Sequence, residues 1–461
     1  MKRAGRIAWT NVCRRGARRC FATSLPSTSC CRRTSLQSAL RTTAVPRRTV
    51  ISSAQWTCTP RVFPTSGVKL LDQSAELDEE TLPNYQLEKY YPVTQGEALN
   101  DRYQTLAKLG YGVTSTVWLA KDLVVSTYVV LKVYITGQNR DLERELDIYK
   151  RINSMEAQHP GKNFIRKLLN YFYLQGPHGC HACLVHEPLG MTADFLVRVA
   201  PRNEKTLDFM KPAIRQLLVA LDFLHSECHI IHTGYMLTTP LEDLDVGTDL
   251  QLKNLLLPGP ETSHLFQFEE REVGNPTPRK KLKDRTIYKS LGFLSPGGLP
   301  ILADFGEARF GDKRQNGDIT PIVYRAPEVI LRSSWDYKVD IWNIAMVAWD
   351  IVSSRTLING KNPDGIFDDR VHIAELIALL GPPPPESREQ RHLSSAFWDK
   401  SGKWKEVASI PDITLESLAS EVEGEGKEGF FRWLRMALQW NPDDRPTALE
   451  LLFDEWMMKG P

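Results

Sequence analysis

The chain has 461 residues, of which 42% are hydrophobic and 25% are charged. This balance is typical of globular proteins, and it excludes collagen-like, wholly disordered and disulfide-scaffold proteins. The sequence contains no stretch of about 18 uncharged apolar residues, so no transmembrane helix is predicted. At roughly 100–200 residues per domain, the length allows two to four domains or one large two-lobed unit.

A basic leader precedes an acidic body, although the formal net charge is only +2. Residues 1–71 contain 14 Lys and Arg and no Asp or Glu, whereas the rest contains 44 basic and 56 acidic residues. Five of the eight cysteines lie in the leader. The remaining three are too few for a disulfide framework, which indicates an intracellular body.

The leader, residues 1–70, is rich in Arg, Ser and Thr, a composition typical of mitochondrial transit peptides. The stretch Arg19–Thr23 resembles a processing site, with Arg two residues before an aromatic residue. Two alternatives remain open. In the first, the leader is a disordered basic arm or upstream sequence wrongly included in the gene model. In the second, it is a nucleic-acid-binding arm. The expected localisation is mitochondrial if the leader is a transit peptide, and cytoplasmic or nuclear otherwise.

The body begins with an extension, residues 71–102, and then changes from strand patterns to helix patterns. Strands are predicted at 103–109, 115–121, 126–134 and 182–186, with a helix at 140–152. Helices are predicted at 212–225, 339–352, 431–439 and 448–457. The apolar character of 339–352 on nearly all sides predicts a buried helix. The fold class is therefore α+β, with a small β-rich lobe (103–188) before a larger α-rich lobe (189–461).

A glycine turn separates the first two predicted strands. Leu109-Gly110-Tyr111-Gly112 is followed by Val117, and Ser115 stands where a third glycine often lies. Glycines let backbone amides approach phosphate oxygens closely. Turns between strands also need glycine for geometry alone, so this motif has two interpretations.

Lys132 lies in the apolar strand Val129–Lys132. A buried ammonium group needs an anionic partner, because its charge is otherwise costly to desolvate. Glu145 on the following helix can supply one carboxylate, and nucleotide phosphates can supply the second partner. The alternative is a lysine at an exposed edge of the sheet.

Three further motifs follow in chain order. Asp249 and Asn254 lie five residues apart before an apolar strand, Asp304-Phe305-Gly306 follows another strand, and Ala326-Pro327-Glu328 comes later. Arg445 is a candidate buried ion-pair partner of Glu328. Each motif alone is common, but the set in this order resembles the signature of protein kinases.

The resemblance extends from about Tyr91 to the C-terminus, some four-fifths of the chain. Within the kinases, the chain is most similar to the SR-protein kinases, especially those of fungi, which phosphorylate serines in Arg/Ser-rich proteins. The similar features are Tyr91-Pro92-Val93, the strand Ser115–Leu119, a His-Thr-Asp catalytic loop, and a long insert at about 258–298. The resemblance implies the two-lobed protein-kinase fold and transfer of the γ-phosphoryl group of ATP to serine or threonine.

The resemblance also implies roles for individual residues. Asp249 would accept the proton of the substrate hydroxyl, Lys132 would hold phosphates and be aligned by Glu145, and Asn254 and Asp304 would bind Mg²⁺. Asp340 would anchor the catalytic loop. The residues implied to bind ATP are Leu109, Gly110, Tyr111, Gly112, Val117, Lys132, Glu187 and Leu189.

The expected partner is a basic, Arg/Ser-rich protein substrate. The acidic body fits this partner because unlike charges steer encounter, although screening beyond a Debye length of about 8 Å weakens the argument. We expect a monomer whose kinase domain binds neither nucleic acid nor a membrane. The basic run Arg279-Lys280-Lys281 within the insert is predicted to be a solvated surface cluster.

The catalytic loop departs from the family pattern. His232-Thr233 is separated from Asp249 by Gly234–Thr248, whereas in the family the Asp follows directly. One interpretation is an unspliced intron translated in the gene model. The other is a real insertion that damages or remodels the site, which leaves open a pseudokinase or scaffold that binds nucleotide without efficient turnover.

Smaller departures affect the chemistry expected. Gln251 and Pro321 stand where serine/threonine kinases usually have an interacting Lys and Thr, so we predict a kcat below about 100 s⁻¹. His186 replaces a usual Phe beside the adenine pocket, and is interpreted either as structural or as a source of pH-dependent ATP affinity. Cys180, Cys183 and two histidines resemble part of a zinc site, but they are crowded on one turn.

Overall fold

A computed structural model of the protein describes residues 56–137, 139–200, 206–233, 252–292, 297–389, 392–422 and 426–460. Residues 1–55 of the leader and the segment 234–251 lie outside the described residues. Asp249 and Gln251 therefore remain expectations from the sequence. Within the described ranges, no helix is long and apolar enough to cross a bilayer.

Six antiparallel strands form the sheet of the small lobe, in the order β1-β2-β3-β4-β6-β5. The edge strand at 168–176 alternates between exposed and more buried residues, as one solvated face of a pleated sheet requires, whereas the inner strands are buried along most of their length. The four predicted strands are confirmed, and three of them are longer than predicted. The strands are β1 (Ala98–Leu99), β2 (Tyr103–Gly112), β3 (Ser115–Asp122), β4 (Thr127–Tyr134), β5 (Leu168–Gly176) and β6 (Gly179–His186).

The remaining strands form three two-stranded sheets. They pair as β7 with β12, β8 with β11, and β9 with β10. The strands are β7 (Ile230–Ile231), β8 (Leu255–Leu256), β9 (Arg279–Lys281), β10 (Thr286–Tyr288), β11 (Ile301–Leu302) and β12 (Arg309–Phe310). The first two of these sheets hold the segments around the predicted catalytic loop and Asp304.

One helix packs beneath the sheet of the small lobe, and most of the others build the large lobe. The helices are α1 (Asn139–Ser154), α2 (Ala193–Val199), α3 (Leu207–Asp222), α4 (Thr262–Gly274), α5 (Pro327–Ile330), α6 (Lys338–Val352), α7 (Asp369–Leu380), α8 (Pro385–Glu389), α9 (Ser394–Phe397), α10 (Leu415–Leu418), α11 (Lys427–Ala437), α12 (Ala448–Leu452) and α13 (Glu455–Met458).

Helix α6 is the centre of the large lobe. Every residue from Val339 to Val352 is buried, as the predicted buried helix requires. Helix α3 packs against α6 and then widens into a π-helical turn, Phe223–Cys228, which ends at His229 in the left-handed region (φ 54°). This turn redirects the chain into β7 and so towards the predicted catalytic loop.

The described residues of segment 258–298, which was expected to be an insert, pack onto the small lobe. Leu265 of α4 packs among Phe63, Leu106 and Leu119, and Tyr288 of β10 lies edge-on to Trp118 with ring centroids 5.4 Å apart. Burial of these large apolar side chains stabilises the sheet face that they cover. The insert therefore completes the hydrophobic core of the small lobe.

The basic run within this insert is not a solvated cluster, so that prediction was wrong for its middle residue. Lys280 is only 3% exposed, forms an ion pair with Glu80 and donates a hydrogen bond to the carbonyl of Ala75 at 2.9 Å. Lys281 is exposed. The difference arises because β9 points alternate side chains to opposite faces.

The packed part of the chain begins before residue 71, earlier than the leader boundary that we expected. Phe63 is buried in the small lobe, and the backbone N–H of Arg61 donates to the side chain of Gln104 at 2.8 Å. Leu70 bridges to Arg279 in the insert. The segment 56–70 and the insert thus pack against the same lobe.

Candidate active site

Lys132 lies at the centre of the candidate site. Strand β4 directs its side chain inwards, and the ammonium nitrogen Nζ lies 3.4 Å from both carboxylate oxygens of Glu145 and 3.2 Å from Oδ1 of Asp304. Glu145 comes from α1, while Asp304 follows β11. The structure thus brings together three predicted site residues, and the alternative of an exposed edge lysine was wrong.

The charges of this cluster support one another. Burial alone would lower the pKa of Lys132, but the carboxylates of Asp304 and Glu145 outweigh it and raise that pKa above its usual value. Burial likewise works to raise the pKa of Asp304, and the nearby Lys132 ammonium group more than compensates and lowers it. At neutral pH Lys132 is therefore protonated and Asp304 is ionised.

Asn254 and Asp304 are placed side by side by the pairing of β8 with β11. Leu255 pairs with Leu302, and the carbonyl of Asn254 accepts a hydrogen bond from the N–H of Ala303 at 2.9 Å. Asp304 then adopts a φ of 62°, a left-handed conformation that Asp tolerates better than most residues. The two predicted metal ligands therefore stand next to each other at the end of a small sheet.

The predicted glycine turn is a hairpin with both glycines inside strand β2. Gly110 is opposite Val117 and Gly112 is opposite Ser115, so the turn itself is formed by the two residues 113 and 114. A Cβ atom at Gly110 or Gly112 would meet no atom within 4 Å. The space beside these glycines is open, as a cover over a bound ligand requires.

Val117 and Lys132 are neighbours across β3 and β4, which places the hairpin beside the charged cluster. Leu109 packs at the edge of the core below the hairpin, while Tyr111 is 39% exposed. The pairing between strands thus brings the hairpin residues and the predicted phosphate-binding lysine to one end of the sheet.

The link between the lobes begins where β6 ends. His186 is 1% exposed, and its Nδ1 lies 3.1 Å from the carbonyl of Lys167, so Nδ1 carries the proton. Burial and the nearby Arg166 and Lys132 lower the pKa of His186 well below its usual value. His186 is therefore neutral at physiological pH, which favours the structural interpretation.

Glu187 and Leu189, predicted to offer backbone groups to adenine, follow directly in this link. The side chain of Glu187 turns away to accept a hydrogen bond from the backbone of Lys167 at 3.2 Å, and Leu189 is buried. Fixing the side chains in this way sets the path of the backbone between the lobes.

Asp340 anchors the start of the catalytic loop, as predicted. Its carboxylate accepts hydrogen bonds from the backbone N–H groups of His232 (2.7 Å) and Thr233 (2.9 Å), and it lies 2.9 Å from Nε2 of His225. Asp340 projects from the first turn of the buried helix α6. A buried carboxylate with several donors is a rigid support for the backbone that it binds.

An aromatic column links the two lobes through the site. Phe305 lies 5.2 Å from the ring centroid of His232 on one side and 5.2 Å from that of Tyr149 on the other. Sequence reasoning missed Tyr149 and also Tyr134, whose hydroxyl donates to Glu145. A signal for Tyr149 did exist, because it lies one helical turn after Glu145 on the same face of α1.

The predicted ion pair between Glu328 and Arg445 is confirmed. The guanidinium group donates two hydrogen bonds to the carboxylate, at 2.6 and 2.7 Å, and both side chains are at most 1% exposed. This bidentate geometry is the strong form of such a contact. It fixes α5, which contains Glu328, to the segment before α12.

The residues that resemble part of a zinc site, Cys180, Cys183 and two histidines, are not grouped as metal ligands in the structure. His181 is engaged by the carbonyl of Tyr134 at 2.9 Å, and Cys183 is buried in the core of the sheet. Across the part of the chain that the structure describes, no three His, Cys, Asp or Glu residues are grouped as metal ligands.

Comparison with known proteins agrees with the geometry. The protein kinase domain family matches residues 295–457. A serine/threonine protein kinase of Aspergillus fumigatus is 38% identical over 87% of this chain and 95% of its own length. The serine/threonine-protein kinase SRPK of Physarum polycephalum is 29% identical over 83% of this chain and 92% of its own, and SRSF protein kinase 3 of mouse is 22% identical over 88% and 97%.

A two-lobed fold with a lysine, a glutamate and an aspartate converging between the lobes defines a protein kinase. The comparisons narrow this class. The chain belongs to the serine/threonine protein kinases and is SRPK-like. Kinases of this family use ATP and Mg²⁺ generally, and none of the comparisons supports the alternative of a pseudokinase.

Proposed function

We propose that ATP binds in the cleft below the β2–β3 hairpin, with its phosphates against Lys132. The observation that carries this proposal is the convergence of Glu145 and Asp304 on Lys132, whose Nζ lies within 3.4 Å of a carboxylate oxygen of each. Glu145 is 1% exposed and holds the ammonium group in place, so the lysine is preorganised to receive phosphate oxygens. The backbone of Gly110 to Gly112 covers the phosphates, and Val117 covers the adenine.

The adenine edge is bound by backbone groups of Glu187 and Leu189 in this proposal. Support comes from their position in the link that follows β6, with both side chains directed elsewhere. His186 behind them is neutral and tied to the carbonyl of Lys167, so ATP affinity should not depend on its titration near neutral pH.

The residues present fit a magnesium ion. Asp304 supplies a carboxylate whose side chain is 31% exposed, and Asn254 is adjacent through the β8–β11 pairing. Hard oxygen donors of this kind, completed by phosphate oxygens, are the ligands that Mg²⁺ prefers. When bound, the ion would neutralise charge on the phosphates. The residues of the chain itself position the phosphates and exclude other orientations of them.

The reaction is transfer of the γ-phosphoryl group from ATP to a serine or threonine hydroxyl. The oxygen of that hydroxyl forms a bond to phosphorus, the bond between the β-phosphate oxygen and the γ-phosphorus breaks, and ADP leaves. Asp249 accepts the proton of the hydroxyl, an assignment that depends on the sequence alone because Asp249 lies outside the described residues. Most of the acceleration comes from positioning and electrostatic stabilisation.

Both flanks of the interrupted catalytic loop are held as a working kinase needs. Thr233 is bound to Asp340, and its hydroxyl donates to the carbonyl of Glu307 at 2.7 Å, while Asn254 is bound to Ala303. These contacts support the interpretation that Gly234–Thr248 is an unspliced intron. Sequencing of the transcript decides this point, because a mature transcript that encodes Tyr235 to Gly247 would contradict it.

We further propose that the substrate is an Arg/Ser-rich protein. Support comes from the acidic body and from the name of one relative, SRSF protein kinase 3. A groove of about 530 Å³ beside the segment that precedes α5 offers the carboxylates of Asp368 and Asp369. The carboxylate of Asp368 already accepts a bidentate pair of hydrogen bonds from the guanidinium group of Arg370. Because Arg370 is exposed, an arginine of the substrate can take its place on Asp368.

Transfer of labelled phosphate from ATP to an Arg/Ser-rich peptide tests the site. Lys132→Met and Asp304→Ala should each lower the rate by about 100-fold or more, since the first removes the ammonium group at the phosphates and the second removes a proposed Mg²⁺ ligand. Lys150→Met is the matched control, because Lys150 is an exposed lysine on α1 paired only with Asp147 at the surface. Full activity of Lys132→Met would contradict the proposed nucleotide site.

The same assay separates the remaining points. Protein lacking Gly234–Thr248 should be the more active form if that segment is an intron. Asp368→Asn and Asp369→Asn should raise the KM for the Arg-flanked peptide without changing the KM for ATP. Equal use of Arg-flanked and Ala-flanked serines by the unaltered enzyme would remove the substrate proposal and leave the nucleotide site intact.

A further inference from the structure

The first residues of the insert lie against the link between the lobes. Leu257, which directly precedes the insert, is 2% exposed. Its carbonyl accepts a hydrogen bond from the N–H of Gly190 at 2.9 Å, and its N–H donates to the carbonyl of Met191 at 2.9 Å. The end of the link is therefore paired with a buried residue of the large lobe, and the chain runs from there into Pro258 and Gly259.

Gly259 approaches the link so closely that no side chain fits between them. A Cβ atom at Gly259 would lie 2.1 Å from the carbonyl oxygen of Pro188 and 2.9 Å from its carbonyl carbon. The φ of Gly259 is outside the left-handed region, so glycine is needed here for space and not for its conformational freedom. The backbone of the insert thus packs directly on the backbone of the link.

The turn that carries Gly259 is also held by the other end of the insert. A Cβ atom at Gly298 would lie 2.8 Å from Cγ of Pro258, so the backbone of Gly298 packs on the proline ring. The ring itself fixes the φ of Pro258. Both ends of the insert therefore meet at Pro258, which limits how far Gly259 can move away from Pro188.

The backbone of the link presents alternate residues to this support. The carbonyl of Pro188 faces Gly259, and the N–H of Gly190 faces the same segment of the chain. In an extended chain, the N–H and C=O groups of every second residue point to the same side. The backbone groups of Glu187 and Leu189 therefore point to the opposite side, where the adenine edge is proposed to bind. Gly259 supports the one residue that lies between these two binding positions.

We propose that Gly259 is a positioning residue for adenine binding and that it maintains a preference for adenine over guanine. The inference depends on the proposed binding of the adenine edge by Glu187 and Leu189. In that arrangement the carbonyl of Glu187 accepts a hydrogen bond from the amino group of adenine, and the N–H of Leu189 donates to the neighbouring ring nitrogen. Guanine carries a carbonyl oxygen where adenine carries the amino group, so it would set two acceptors against each other. A site built for a particular hydrogen-bonding group rejects a ligand that lacks it.

An added methyl group would disturb this arrangement. Cβ atoms in proteins almost never lie within 3.0 Å of another heavy atom, so Gly259→Ala requires the two backbones to separate by about 1 Å. The loss of one hydrogen bond of ordinary strength corresponds to about 10-fold in affinity. Lys132 and Asp304 lie on other elements and should stay in place. Gly259→Ala should therefore weaken the recognition of the base but not the transfer of phosphate.

The test is calorimetric titration of the full chain with ADP and with GDP in the presence of Mg²⁺. The unaltered protein should bind ADP more tightly than GDP, and Gly259→Ala should reduce the ratio of the two Kd values by about 10-fold. The kcat at saturating ATP should be unchanged, which a general loss of structure would not allow. Gly274→Ala is the matched control, because Gly274 belongs to the same insert and a Cβ atom there would meet no atom within 4 Å.

These measurements separate failure of the inference from failure of the proposed adenine site. If the unaltered protein binds ADP and GDP equally well, the assignment of Glu187 and Leu189 to adenine is wrong, and the inference falls with it. If the unaltered protein prefers ADP and Gly259→Ala keeps the full preference, the positioning role of Gly259 is overturned while the adenine site stands. An equal loss of preference in Gly274→Ala would also overturn it.

A second variant covers the case in which Gly259→Ala fails to fold. Pro258→Ala removes the ring that holds the turn without adding a group beside the link. It should reduce the preference for ADP over GDP, because Gly259 can then move away from Pro188. An unchanged preference in Pro258→Ala would overturn the inference.

Discussion

His372 on α7 predicts a specific loss of stability in mild acid. Its side chain is completely buried, and neither ring nitrogen has a partner among the described residues. Burial, with a smaller effect of the nearby Arg325, lowers the pKa of His372 to about 3 from 6.5. In the unfolded chain the imidazole regains its ordinary pKa of about 6.5.

The sign and size of the effect follow from these two values. Between pH 6.5 and 3, the unfolded chain binds one more proton at this residue than the folded chain, so the free energy of unfolding falls as the pH is lowered. Each unit of pH in this window costs about 1.4 kcal/mol, and the window from pH 6.5 to 5 therefore costs about 2 kcal/mol.

Urea denaturation at several pH values between 7.5 and 5 tests this prediction. His372→Leu should lose about 2 kcal/mol less than the unaltered protein over that range, because it removes the titrating group. The carboxyls of Asp369 and Glu375, on the same helix as His372, titrate in both proteins, so their contributions cancel in the difference. His264→Gln, an exposed histidine on α4, is the control and should follow the unaltered protein. Parallel curves for His372→Leu and the unaltered protein would refute the reasoning.

Three other variants test contacts described above. Glu328→Gln should lower the free energy of unfolding by about 3–5 kcal/mol, because Arg445 would be left buried and unpaired; an unchanged thermal midpoint would contradict this. Lys280→Ala should lower the midpoint of thermal unfolding measurably, because it removes a buried ion pair. Lys281→Ala, at the exposed neighbouring residue, should leave the midpoint unchanged. Equal effects of the two variants would speak against a structural role for Lys280. Asp340→Asn should lower kcat by about 10-fold or more with ATP affinity retained, as measured by nucleotide titration, since it loosens the catalytic loop; full kcat would refute the anchoring role.

The pairing of Lys132 with Glu145 was predicted from the residues themselves, because a lysine in an apolar strand is followed by a glutamate on the next helix. The place of Asp304 beside them was implied by the resemblance to protein kinases. Asp340 and the pair Glu328–Arg445 were likewise predicted correctly. These residues are polar groups in apolar surroundings, which signal a buried partner.

The insert was less predictable because its partners are distant in the sequence. Lys280 belongs to a basic run that resembles a solvated surface, and only the fold shows that Glu80, 200 residues earlier, is its partner. Leu265 packs on Phe63 for the same reason. Periodicity describes which face of an element is apolar, but it does not identify the surface that the face will meet.

The packing of Leu265 and Tyr288 on the small lobe has a consequence for the order of events during synthesis. Strands β2 to β6 leave the ribosome about 100 residues before the side chains that complete their core. Because nascent chains grow at about 5–20 residues per second, the sheet stays incompletely covered for several seconds and is exposed to misassembly during that interval. A fragment that stops after the first lobe of the kinase would keep that exposed surface permanently.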